Sequence, residues 1–278
     1  MPTVPPNGCA PIKIDRSTAR RGPWPPAFAC PGLLGAYFMR NEVFPVKKTI
    51  GILGGMGPLA TADLFQKIVR MTDAACDNDH IRIYIDNNAQ IPDRTAAILS
   101  GGPDPVPAML DSVNKLSSIG ADVLIMPCNT AHYFLPRLRE SSTVPFISML
   151  EETALACKQA HGAAPVGLLG TSGTIRSGIY KKALEAQQVP CVEPTEEEQA
   201  VLMQLIYAVK AGESQLDRQA FLDVLAAMKA RGATYFILGC TELPILADLF
   251  QLQESCIDPT TELARAAITY CGYQVKSC

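Results

Sequence analysis

The feature that most constrains this chain is a repetition inside it. The block Ile50-Gly-Ile-Leu-Gly-Gly-Met-Gly57 returns 116 residues later as Val166-Gly-Leu-Leu-Gly-Thr-Ser-Gly173. Gly120-Ala121, an apolar run and Cys128 return as Gly232-Ala233, an apolar run and Cys240, at an offset of 112. Ile147-Ser148 with Glu152-Thr153-Ala154 returns as Ile257-Asp258 with Glu262-Leu263-Ala264, at an offset of 110. Three blocks in one order at nearly constant spacing imply two homologous halves.

Short apolar runs bounded by glycine alternate with stretches of helical spacing, the pattern of strands and helices in turn. Strands are expected over 50–53, 81–85, 122–126, 146–147, 166–169 and 235–238. Helices are expected over 59–71, 106–119, 175–186, 219–231 and 261–271. Ser148-x-x-Glu151 and Thr195-x-x-Glu198 read as capping boxes that open two more. Strand–helix alternation implies parallel sheets covered on both faces. The expected fold is α/β: two similar three-layer domains related by a pseudo-twofold axis, facing each other across a cleft. Residues 48–147 with 256–278 make the first domain and 148–255 the second.

Composition narrows the class further. With 48% apolar and 18% charged residues and a net charge of −3, the chain is neither of disordered type nor basic enough to suggest nucleic acid. No run approaches 18 apolar residues, so no membrane partner is expected. Residues 1–49 differ from the rest. They hold seven Lys/Arg against two Asp/Glu, nine of the 22 prolines and the only tryptophan, Trp24. Such proline density blocks helix and ladder hydrogen bonds, so residues 1–47 are expected to be a loosely ordered extension outside the fold. They match neither a Ser-rich transit peptide nor a secretory signal, and Met39 is a second candidate start.

Ten cysteines without a CxxC pair or a His/Cys zinc spacing fit a reducing, cytoplasmic setting better than a disulfide framework. Cys128 and Cys240 stand apart. Each follows the carboxyl end of an expected strand, where ligands bind in open parallel sheets. Each also precedes a helix, whose N-terminus favours thiolate. A single such cysteine is usually buried structure. Two at one topological position in two halves suit proton transfer on both sides of a carbon, one thiolate removing a proton from one face while the other thiol supplies one to the opposite face.

Five segments together resemble the aspartate/glutamate racemase superfamily, and most closely its aspartate racemase branch. They are Gly51-Ile-Leu-Gly-Gly-Met-Gly-Pro-Leu-Ala-Thr61, Asn87-Asn-Ala-Gln-Ile-Pro-Asp-Arg-Thr95, Met126-Pro-Cys-Asn-Thr-Ala-His132, Gly173-Thr-Ile-Arg-Ser-Gly-Ile-Tyr180 and Gly239-Cys-Thr-Glu-Leu243. The resemblance spans residues 48 to 275. It implies cofactor-independent and metal-independent racemisation of an acidic amino acid by two bases, Cys128 and Cys240. Both thiols being present sets the chain apart from single-cysteine decarboxylases of malonates and from racemases with Thr at one position. Glutamate racemases usually carry His after the second Cys-Thr; Glu242 stands here and favours aspartate. Hydantoin racemases and maleate isomerases share the superfamily and stay open.

The resemblance also implies the substrate contacts. Arg94 matches a position that grips a substrate carboxylate, for which a planar guanidinium is suited. Lys182 matches a cationic position on the other side. Met56, Gly57, Gln90, Asn129, Thr130, Thr171, Thr241 and Glu242 complete the expected binding set, and a homodimer is the expected assembly. Three other readings fit the residues less well. The Gly54-Gly55-Met56-Gly57 turn lacks the G-x-G-x-x-G spacing of a dinucleotide site and has no acid about 20 residues on. A non-catalytic amino-acid sensor would be expected to lose one cysteine. His132, four residues past Cys128, has no second ligand pair to make a zinc site.

Overall fold

Two parallel sheets grow from the two glycine-ended apolar runs. The computed structural model describes residues 47–276 apart from 214, 253 and 254. The Pro/Arg-rich extension expected over 1–47 therefore lies, but for Lys47, outside the described residues.

The first half comprises β1 (Ile50–Gly54), α1 (Pro58–Met71), β2 (Ile83–Asn87), α2 (Arg94–Leu99), α3 (Val106–Ser118), β3 (Val123–Ile125) and α4 (Leu135–Ser141). Then come α5 (Met149–His161), β4 (Val166–Gly170), α6 (Ser172–Arg176), α7 (Ile179–Ala186), β5 (Cys191–Val192) and α8 (Glu196–Lys210). The chain closes with α9 (Arg218–Ala230), β6 (Tyr235–Gly239), α10 (Leu243–Phe250), β7 (Cys256–Ile257) and α11 (Pro259–Tyr270).

The repeat is visible in the strand order. The first sheet runs β2-β1-β3 and the second β5-β4-β6-β7, all parallel. Phe146 forms a parallel bridge to Leu124, at the place that β7 occupies beside β6. The strand expected over 146–147 is thus reduced to a single bridge. In both halves the glycine-ended strand is central and the cysteine-bearing turn follows its neighbour.

Each central strand is buried along its whole length, as both faces are covered. Ile50 and Ile52 point into a core with α1 and α11, while Leu53 points to α3 and α4. In the second half, Val166 and Leu168 join α5 and α7, and Leu169 joins α8, α9 and α10. The halves exchange a helix. The body of α5 (Leu150, Ala154, Cys157) packs on the second sheet, and α11 (Leu263, Ala264, Ala267) packs on the first.

Several boundaries differ from the sequence expectation for local reasons. The helix expected over 175–186 is two helices, because Gly178 adopts φ 65°, left-handed backbone that ends the α6 turn and caps the start of α7. Thr195 and Glu198 form a full capping box on α8, but at α5 only Ser148 caps, since Glu151 turns to Arg139 instead. Gly55, at φ 92°, lies so close to Asn88 that a Cβ would sit 2.2 Å from its carbonyl carbon. Only glycine permits this turn at the end of β1.

Candidate active site

The turns that follow β3 and β6 meet at one small cavity, with about 350 Å³ of space not filled by atoms. Met56, Asp93, Arg94, Thr95, Cys128, Asn129 and Thr130 line it from the first half. Thr171, Lys210, Gly239, Cys240, Thr241 and Glu242 line it from the second. Both cysteines expected from the repeat are therefore brought to one cavity, each almost fully buried at 7% and 6% exposure.

Hydroxyls join the halves at this cavity. Thr130 Oγ1 lies 2.9 Å from both Thr171 Oγ1 and Thr174 Oγ1, which are 3.1 Å from each other. Thr171 also accepts the N–H of Thr174 and caps α6. The approach of α6 to α2 and the Thr130 turn needs Gly173, where a Cβ would sit 2.9 Å from Thr95 Oγ1 and 3.0 Å from Thr130 Cγ2.

The Arg94 guanidinium is held in place by backbone carbonyls. Nη1 donates to Ile91 at 3.0 Å and Pro92 at 2.9 Å, and Nη2 reaches Met56 at 3.5 Å. Its Nε–H is buried and has no partner. A fixed cation with an unmet buried donor at a cavity wall suits a carboxylate.

Asn129 is oriented by a buried phenol. Tyr180 donates its O–H to Asn129 Oδ1 at 2.6 Å, which leaves the Asn129 amide N–H groups as donors at the cavity. Burial pushes the Tyr180 phenol far above its ordinary pKa, so it stays protonated and a donor.

His132 clamps the Cys128 turn. Its Nδ1 donates to the Cys128 carbonyl at 2.8 Å, and its Nε2 accepts the Met149 N–H at 3.0 Å. Burial depresses its pKa to about 4, so the ring is neutral and structural. Among the described residues, no group of three or more His, Cys, Asp or Glu side chains is arranged to hold a metal ion.

The two cysteines differ in surroundings. Cys240 Sγ donates to Glu242 Oε2 at 2.9 Å. Burial first, and then the Glu242 charge and hydrogen bond, raise its pKa well above the thiol range, and Lys210 only partly offsets them. The helix-terminus effect expected to favour thiolate is outweighed at this cysteine. Cys128 precedes a 3-10 turn, Thr130–Phe134, rather than an α-helix.

Three expected binding residues are not brought to the cavity. Lys182 is exposed on α7 and lines a separate cavity with His132, Tyr133, Arg139 and Glu151. Gln90 is exposed on the turn after β2, and Gly57 does not line the cavity beside Met56. The second cation is instead Lys210, the last residue of α8. Burial opposes its charge, but its pKa is raised, Glu242 being the largest of the groups that act against burial. Its placement follows from Gln199 on the same helix, whose amide donates to Gly170 O at 3.0 Å and fixes α8 over the end of β4. Asp93, Thr95, His132 and Tyr180 also serve the site. All four lie inside or beside the quoted motifs, whereas no local sequence signal marks Lys210.

A larger cavity, about 1360 Å³ by the same measure, adjoins the first through Lys210, Thr241 and Glu242. Its far walls are Leu59, Asp63, Lys67 and Arg70 on α1 and Ile245 and Asp248 on α10.

Known proteins share this architecture. The Asp/Glu/hydantoin racemase family model matches residues 53–267. The broad specificity amino-acid racemase RacX of Bacillus subtilis (strain 168) is 32% identical over 232 residues, covering 81% of this chain and 99% of that protein. The structure of Picrophilus torridus aspartate racemase superposes with a TM-score of 0.73 at 33% identity, covering 82% of this chain and 96% of that one. A glutamate racemase of Desulforudis audaxviator is 30% identical over 162 residues, 56% of this chain and 58% of that protein. With a family model matched over most of its length, this chain is a member of the Asp/Glu/hydantoin racemase family.

Proposed function

We propose that the protein is a cofactor-independent amino-acid racemase that interconverts L- and D-aspartate, with Cys128 and Cys240 as its two bases. One observation carries the reading: two buried cysteines, one from each half, line a single cavity that also holds Arg94 and Lys210.

The chemistry follows from the reacting carbon. One cysteine, as thiolate, takes the α-proton, so an S–H bond forms as the C–H bond breaks. The opposite thiol then gives its proton to the other face, so its S–H bond breaks as the new C–H bond forms. The roles exchange in the reverse direction. The charge that spreads onto the α-carboxylate is met by the Asn129 amide N–H groups, and by the hydroxyls of Thr130, Thr171 and Thr241 once they turn from the partners they hold in the free enzyme. The second carboxylate of aspartate is costly to bury without a cation. Arg94 and Lys210 supply two. A homodimer remains the expected assembly.

The neighbouring cavity favours a second reading, broader specificity. A side chain longer than that of aspartate could extend past Lys210 and Glu242 into that space, and one relative bears a broad-specificity name.

The test is a chiral assay of purified enzyme with L-aspartate, without pyridoxal phosphate and after dialysis against a chelator. D-Aspartate should accumulate to equality with L-aspartate. Absence of turnover under reducing conditions contradicts the reading. Turnover of glutamate or lysine at a rate equal to that of aspartate favours the broader one.

A further inference from the structure

The twofold likeness of the halves fails at one position beside the chemistry. Cys128-Asn129-Thr130 and Cys240-Thr241-Glu242 are equivalent segments, but the third residue is Thr in one and Glu in the other. Thr130 turns away from its cysteine, bonding Thr171 and Thr174. Glu242 turns toward its own, and Oε2 lies 2.9 Å from Cys240 Sγ and 3.3 Å from Thr241 Oγ1. Cys128 has no carboxylate hydrogen-bonded to its thiol among the described residues.

We propose that Glu242 is a positioning residue that keeps the proton on Cys240 in the free enzyme, so that the two thiols are inequivalent before substrate binds. A carboxylate is far more acidic than a thiol, so the shared proton stays on sulfur and Glu242 accepts it as a hydrogen bond. Ionising Cys240, itself only 6% exposed, would put two anions side by side. The other charged or ionisable groups lining the cavity are Lys210, Arg94, Asp93 and Cys128. Asp93 is already engaged, its Oδ1 accepting the Ala96 N–H at 2.6 Å. Lys210 lines the same cavity, and the Glu242 charge acts against burial to raise its pKa. The two thiols are nearly equally exposed, so the carboxylate at Cys240 is the geometric difference between them. The free enzyme therefore rests with Cys240 as the proton donor, while Cys128 has no such carboxylate at its thiol. In the reverse direction, the Glu242 charge beside Cys240 makes its thiolate a stronger base.

The meaning of this asymmetry rests on the racemase reading, but its test needs no turnover. Iodoacetamide reacts with thiolate, so the alkylation rate at each cysteine, followed by mass spectrometry of its peptide, reports ionisation. In the parent at pH 7.5, Cys240 should react at least about tenfold more slowly than Cys128, with exposed Cys76 as the reagent control. In Glu242→Gln, Cys240 should speed up about tenfold or more, while Cys128 changes little. Glu242→Asp, which keeps the charge, should leave Cys240 slow. Fully buried Cys157 and Cys271 check the fold, because they stay unreactive only in a folded variant. Equal rates at Cys128 and Cys240 in the parent overturn the proposal, whatever the variants do. So does a slow Cys240 in folded Glu242→Gln, since burial alone would then hold the proton. A racemisation assay on the same preparations keeps the two readings apart: inactive protein with a slow, Glu242-dependent Cys240 contradicts only the racemase assignment.

Discussion

His132 Nδ1 lies 2.8 Å from the carbonyl oxygen of Cys128, and the ring's other nitrogen takes the first N–H of α5. The turn that carries one cysteine of the site is thereby tied to the helix that crosses to the second sheet. Both bonds need a neutral ring with its proton on Nδ1, and adding a second proton would remove the acceptor for Met149.

This clamp predicts acid sensitivity. The His132 pKa is near 4 when folded against about 6.5 when unfolded. Between those values the unfolded chain binds a proton that the folded one refuses. Its stabilising contribution is complete above pH 6.5 and is lost as pH falls toward 4, about 3 kcal/mol in all. Denaturant unfolding at pH 7, 5.5 and 4.5 should show a shallower pH slope in His132→Gln than in the parent. Identical slopes would contradict it.

The cations are separable by position. Removing Arg94 or Lys210 leaves a substrate carboxylate short of a partner. Arg94→Leu and Lys210→Leu should each lower kcat/KM for aspartate by a factor equivalent to about 2–5 kcal/mol of transition-state binding, with a smaller loss for alanine. Lys182→Leu should fall within about twofold of the parent, as expected of an exposed side chain facing a different cavity. Steady-state assays in both directions check this, and a Lys182 effect as large as that of Lys210 would refute the assignment.

Much of this was legible in the sequence, and the gaps share one cause. Each glycine-ended apolar run had to be a central strand, and a cysteine after the equivalent neighbouring strand in both halves had to face the same place. These are local signals repeated in register. The boundary at Gly178 was hidden because the helical spacing of Ile175 continues across it. α2, with six residues, is too short to show a period, and α10 (LPILADLF) is an apolar run that periodicity cannot tell from a strand. Lys210 illustrates the general limit. The capping box at Thr195 fixes where α8 begins, but what its far end meets about 22 Å on depends on segments from both halves that are distant in sequence.

Tyr180 and Asn129 should act as a unit. Tyr180→Phe strands a buried amide oxygen, which costs about 1–3 kcal/mol of stability and frees the Asn129 side chain to rotate. Thermal unfolding and kcat/KM of Tyr180→Phe, Asn129→Ala and the double variant form a cycle. The double variant should lose clearly less than the sum of the single losses; strict additivity would argue against the coupling.

Cys128 and Cys240 should be required together, each serving one face of the α-carbon. The direct measurement is α-proton exchange and racemisation of each aspartate enantiomer in deuterated water, by parent, Cys128→Ala and Cys240→Ala. The parent should racemise both with deuterium incorporated at the α-carbon. Each single variant should lose racemisation entirely while retaining the fold. Full racemase activity in either cysteine variant would contradict a two-base mechanism.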